Sequence, residues 1–199
     1  RSCLVGSEMC IRDRNLGAGN DILSGYVNHD ITQLKDIDII HDLNIYPWPW
    51  EDDSCDEVLM KDVLEHLDNF IMAMEEIHRI LKPGGNLVAS VPYWNSANAN
   101  IDPTHRKGFH EHTFHFFDPS KSYCQERPYY TSARFSIEKE AFIISPFVPY
   151  FQMPFLTLVR VENKFAKKMV GIIGNLFSNI ILDLNPVSYT HLTLPTSPK

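Results

Sequence analysis

The sequence predicts an α/β fold: an open, mostly parallel sheet with helices on both faces. Three observations predict it. Residues 55–92 read as strand, helix, turn and strand, the unit from which parallel sheets are built. A Gly-x-Gly turn, Gly17-Ala18-Gly19, follows an apolar residue near the start of the chain. Two short apolar stretches, 26–31 and 37–41, each lead into an acid, Asp30 and Asp42. In open parallel sheets, ligands sit at the carboxyl ends of the strands.

The central unit is the most strongly patterned. Residues 58–60 form a short apolar run, as a buried strand requires. From Val63 the apolar residues recur at 63, 67, 70, 74, 77 and 81, the period of a helix with one buried face. Asp68 is the predicted N-cap, and Arg79 and Lys82 lie late in the helix, where its dipole favours cations. Pro83-Gly84-Gly85 ends the helix, and residues 87–91 form the next buried strand. Glu65 and His66, at the helix start, read as a local hydrogen bond and packing.

The flanking elements follow in order. Glycines at 17 and 19 let a backbone turn pass close to a ligand. A dinucleotide-binding reading would need a small residue at position 22, which is Ile, and an acid ~20 residues on. Trp48 and Trp50 read as buried. Residues 93–117 are rich in Asn, His and aromatics without a clean period, as functional loops often are. A short helix follows Asp118, and residues 133–142 alternate as a half-exposed antiparallel strand. Residues 148–158 have no clear assignment. Residues 161–176 predict an amphipathic helix, with Lys164, Lys167 and Lys168 on its polar side.

Composition narrows the function. The chain has 199 residues, 44% hydrophobic and 22% charged, which suits one domain with a real core. A net charge of −7 argues against nucleic acid as a partner. No apolar run is long enough for a transmembrane segment. The two ends look foreign: residues 2–14 and 186–197 resemble translated sequencing-adapter read-through. On that reading residues 1–14 and 186–199 are non-native tails of a truncated metagenomic sequence. The single native domain is then 15–185, a cofactor-binding half at 15–92 and an acceptor-side half at 93–185. The first and last strands are expected to be truncated. Only Cys55 and Cys124 remain between the tails, so a reducing, cytoplasmic location is the expectation.

The order Leu16-Gly17-Ala18-Gly19-Asn20, Asp30, Asp42-Leu43, Pro47, Asp56-Glu57-Val58, Asp62-Val63-Leu64-Glu65-His66-Leu67 and Leu81-Lys82-Pro83-Gly84-Gly85 resembles class I S-adenosylmethionine-dependent methyltransferases of the type 11 group. The resemblance spans residues 15–120. It implies a Rossmann-like sheet of seven strands, methyl transfer, and S-adenosyl-L-methionine as cofactor. It also implies roles. Gly17, Ala18, Gly19 and Asn20 would pass under the amino-acid part of the cofactor. Asp30 would accept hydrogen bonds from both ribose hydroxyls. Asp42 and Leu43 would flank the adenine. Lys61, Asp62 and Val63 would line the methionine side. The family builds its acceptor site from loops after the fourth and fifth strands, which makes Asp102 and His105 the candidate catalytic residues. The acceptor is expected to be a small molecule or a glycan- or lipid-linked metabolite. The alternative is a non-catalytic nucleoside-binding or assembly subunit with the same fold. Asp102-Pro103-Thr104-His105 and His110, His112 and His115 invite a metal reading, but the last three lack a clear second ligand set and no cysteine is near, so no metal is expected.

Overall fold

The computed structural model describes residues 13–144, 160–161 and 177–187. Its strands are β1 (Asp13–Leu16), β2 (Tyr26–Asp30), β3 (Ile39–Ile40), β4 (Cys55–Lys61), β5 (Leu81–Pro92), β6 (Phe135–Ile144), β7 (Arg160–Val161) and β8 (Phe177–Pro186). They form one eight-stranded sheet in the order β3-β2-β1-β4-β5-β8-β6-β7. The first five pair parallel with one another. β8 pairs antiparallel with both β5 and β6.

Both the first and the last of the expected strands have described residues in the sheet. β1 lies between β2 and β4, with Asn15 and Leu16 buried. A ladder is made by backbone groups, so Asp13 and Arg14 can pair as strand residues whatever their side chains. β8 is ten residues long and inside the sheet. Leu182 and Leu184 are fully buried two residues apart, the period of a strand packed on one face. The helix expected at 161–176 and the stretch 148–158 lie outside the described residues, except Val161, which is in β7.

Among the described residues, two of the early connections carry no helix. Residues 17–25 and 31–38 are turns and irregular chain, not crossover helices. Between β3 and β4 a loop packs in place of a helix. Trp48 and Trp50 are buried edge to face, 5.9 Å between ring centroids. The Trp48 indole N–H donates to the Leu43 carbonyl at 2.9 Å. Arg79 donates to the carbonyls of Trp48 and Trp50 and to Glu76 and Asp52. One guanidinium thus satisfies a loop that has no ladder of its own.

The helix α1 (Phe70–Ile80) buries Phe70, Ala73, Met74, Ile77 and Ile80, as the periodicity predicts. Its cap is Asn69, not Asp68: the Asn69 side chain accepts the Met72 N–H at 3.1 Å. Asp68 instead pairs with Arg106 across the surface at 3.0 Å. The helix ends at Ile80, before the Pro-Gly-Gly turn. That turn lies within β5, where the register with β4 shifts between Cys55 and Glu57. Gly84 takes a left-handed φ of 78° there.

The aperiodic stretch after β5 is ordered by rings. Phe70 meets Phe109, Phe114 and Phe117 edge to face, at 5.1, 5.4 and 5.5 Å. Such pairs contribute about 0.5–1.5 kcal/mol beyond their burial. Tyr93 bridges to Phe109, and the Trp94 N–H donates to the Phe109 carbonyl at 2.8 Å. Residues 95–108 are thereby closed into a loop that carries α2 (Ala97–Ile101). A further short helix, α3 (Ser122–Glu126), follows Asp118 as expected. No helix among the described residues is long and apolar enough to cross a membrane.

Candidate active site

The register brings the strand ends to one edge. Leu16 pairs with His29 on one side and with Met60 on the other, Asp30 with Ile40, and Lys61 with Ser90. Gly17–Asn20, Asp30, Asp42–Leu43, Lys61–Val63 and Pro92 therefore all leave the sheet at its carboxyl edge. Gly17 has a φ of 68°, and a Cβ built on it would lie 2.4 Å from a Val63 methyl. Only glycine lets the first turn lie so close to the end of β4.

The turn is fixed from behind by His29. The Gly17 N–H donates to His29 Nδ1 at 3.4 Å, and His29 Nε2 faces the His41 carbonyl at 2.9 Å. These partners select the neutral tautomer with its proton on Nε2. Burial also pushes the His29 pKa down. Asp30 is aimed by two backbone donors: the Gly19 N–H reaches Oδ2 and the Thr32 N–H reaches Oδ1, each at 2.9 Å. Each oxygen keeps a second lone pair.

The other expected positions differ. Asn20 is exposed in the turn. Asp42 accepts the Asn44 N–H at 2.9 Å, and the Leu43 side chain is buried in the core. Lys61 reaches to the Asp21 carboxylate across the mouth of the glycine turn. Asp62 has a positive φ of 52°, and its N–H donates to the Ser90 carbonyl at 2.8 Å.

Beyond β4 the edge deepens into a pocket of about 280 Å³. Asp62, Glu65, His66, Pro92, Asp102 and His105 line it. Asp102 and His105 are thus brought beside the end of β4. The loop is tied down by the Arg106 N–H, which donates to the Glu65 carbonyl at 2.7 Å. Thr104 donates its hydroxyl to Asp102 at 2.6 Å and lies 2.9 Å from His66 Nδ1. Those bonds to the Thr104 hydroxyl and N–H hold the Asp102 pKa down. His66 and His105 meet edge to face at 4.7 Å. Burial first, and then His105, lower the His66 pKa.

Glu65 departs from its sequence reading. It makes no helix-start hydrogen bond to another residue. It is fully buried, and neither carboxylate oxygen has a partner beyond its own backbone N–H. Burial, reinforced by Asp62 and Asp102, pushes its pKa up to about 8. The signal for this lay in the Glu65-His66 pair, but its meaning depends on a loop about 40 residues away folding onto it.

Residues 15–89 match the sequence profile of a methyltransferase domain. That stretch is similar to the type 11 methyltransferase domains of the class I fold. No curated protein sequence matches the chain. Among solved structures, an S-adenosylmethionine-dependent methyltransferase from Archaeoglobus fulgidus is similar at TM-score 0.54 and 15% identity, over 88% of this chain and 86% of that one. The YcgJ protein of Bacillus subtilis is similar at TM-score 0.54 and 13% identity, over 90% and 92%. The cyclase SpnF is similar at TM-score 0.52 and 15% identity, over 87% and 73%. At these identities the likeness is one of fold.

The cofactor implied by the methyltransferase-domain match is S-adenosylmethionine. The residues at the edge fit it. Gly17 forms a cradle that a side chain would close, and the open lone pairs of Asp30 suit a pair of hydroxyl donors.

Proposed function

We propose that this enzyme transfers a methyl group from S-adenosylmethionine to a small-molecule or glycan- or lipid-linked acceptor. The observation that carries the proposal is the shared edge: the Gly17 turn, Asp30 and the Glu65–His105 pocket all open from the carboxyl ends of β1, β2 and β4. Asp30 holds the ribose, and Gly17–Asn20 pass under the amino-acid part. Asp42 accepts the adenine amine. Leu43 contributes its backbone, since its side chain is in the core. Asp62 and Val63 border the methionine side, with Lys61 held at its margin by Asp21.

Bound there, the cofactor supplies an electrophilic methyl group. The chain's part is to bind, orient and exclude water, and alignment of this kind lowers barriers by about 7–11 kcal/mol. His105, with Asp102 nearby through Thr104, is the group placed to hold an acceptor proton. The acidic chain disfavours nucleic acid as acceptor. Two buried free thiols, Cys55 and Cys124, support a cytoplasmic location.

Methyl-labelled cofactor, offered with panels of hydroxyl, amine and carboxyl acceptors, tests the proposal. Label is expected in one acceptor class, and His105→Ala is expected to lower kcat more than it raises KM. Cofactor binding without label transfer to any class would favour the non-catalytic reading.

A further inference from the structure

We propose that Glu65, His66 and His105 hold one divalent transition-metal ion. One ligand atom from each lies within 4.8 Å of the other two. Their hydrogen bonds give the reason. The Thr104 hydroxyl donates its proton to Asp102, so towards His66 Nδ1 it is an acceptor. The His66 proton is therefore on Nδ1, and Nε2 carries a bare lone pair. His105 Nδ1 faces the Ala99 carbonyl at 3.3 Å, so it too carries the proton and leaves Nε2 bare. That Nε2 lies 4.0 Å from Glu65 Oε1, whose carboxylate is buried without a partner from another residue.

The two bare ring nitrogens and the Glu65 carboxyl group thus converge, and the Glu65 oxygens take no hydrogen bond from either ring. The 4.0 Å gap is too long for an imidazole–carboxylate hydrogen bond, which closes to about 2.7–2.9 Å. It is near the spacing of ligands around one ion: bonds of about 2.1 Å in a tetrahedron place ligand atoms about 3.4 Å apart. Small side-chain rotations close the difference. Anchoring the far ring nitrogen on a carbonyl or a hydroxyl is how protein structures orient metal-binding histidines. Two imidazoles and one carboxylate suit Zn²⁺, Mn²⁺ or Fe²⁺ rather than Mg²⁺ or Ca²⁺, which take oxygen shells.

A second group, His110, Glu111 and His112, lacks this character. Its Glu111 carboxylate already accepts the Tyr93 hydroxyl at 3.0 Å and lies 3.2 Å from His110. His112 and His115 sit with their Nδ1 atoms 3.1 Å apart.

Three protein ligands leave the ion open on the side of the pocket. On the methyl-transfer reading, that open side faces the acceptor and an oxygen-bearing acceptor becomes the favoured class; with the ion bound His105 is a ligand, and its proton-holding role belongs to the metal-free protein. The metal site itself does not depend on that reading.

The test is calorimetric titration of chelator-treated, dialysed protein with Zn²⁺, without cofactor. One saturable site is expected. Glu65→Gln and His105→Ala are each expected to weaken it on the order of 100-fold, while His112→Ala and Asp30→Ala leave it intact. Glu65→Gln keeps side-chain volume, so its loss of binding cannot be ascribed to unfolding, and circular dichroism checks this. Absence of saturable binding by the unsubstituted protein, or equal binding by Glu65→Gln and His105→Ala, would overturn the site. Retained cofactor binding in either case leaves the methyltransferase reading standing.

Discussion

Glu65→Gln is expected to stabilise the metal-free protein at neutral pH, by about 3 kcal/mol at pH 7. The folded chain raises the Glu65 pKa from 4.5 to about 8, so between those values the folded state holds a proton that the unfolded state has released. The stability this group contributes is complete below pH 4.5 and is lost as pH rises through about 8. Glutamine never ionises, and its amide can donate to the bare nitrogens of His66 and His105. Urea denaturation in the presence of a chelator, at pH 5 and at pH 7.5, reads the effect. The advantage of the variant should grow with pH. A difference independent of pH would show that Glu65 is not held protonated. Saturating Zn²⁺ should reverse the order, because only the protein that binds it gains stability by mass action.

Gly17→Ala is expected to cost about 2–4 kcal/mol and to abolish cofactor binding. Two penalties add. A left-handed φ of 68° is strained for any side chain, and the new Cβ would lie 2.4 Å from a Val63 methyl. Gly19 separates the two: its φ is 52°, but nothing lies within 4 Å of its Cβ position, so Gly19→Ala should cost only about 1 kcal/mol. Adding Val63→Ala to Gly17→Ala should recover much of the steric part, visible as a coupling energy in a double-mutant cycle. Full additivity, or equal costs at Gly17 and Gly19, would contradict the close approach of β1 and β4.

What the sequence made legible was what is written locally. The α1–β5 unit follows from its own periodicity, and the glycine turn and Asp30 follow from backbone needs at strand ends. The cap moved by one residue because Arg106, from a distant loop, holds Asp68, while Asn69 closes on Met72. The crossover after β1 has no helix because only ten residues separate Gly19 from Asp30. What stayed hidden was non-local. The stretch after β5 is ordered by Phe70 against Phe109, Phe114 and Phe117, and ring packing has no period along the chain. Insertion of β8 between β5 and β6 is likewise a pairing at long sequence distance. The surroundings of Glu65 are non-local in the same way. Its neighbours His66, Thr104 and His105 become a cluster only when the loop closes through Arg106 onto the end of β4.

The central claim is that the carboxyl edge of the sheet holds S-adenosylmethionine, with Asp30 on its ribose. Calorimetric titration with S-adenosylmethionine and with its demethylated product tests it most directly. One site is predicted for each ligand in the unsubstituted protein, weakened on the order of 100-fold by Asp30→Ala, since charged hydrogen bonds contribute about 1.5–3 kcal/mol each. His112→Ala should bind as the unsubstituted protein does. No binding of either ligand, or equal affinity after Asp30→Ala, would contradict the account.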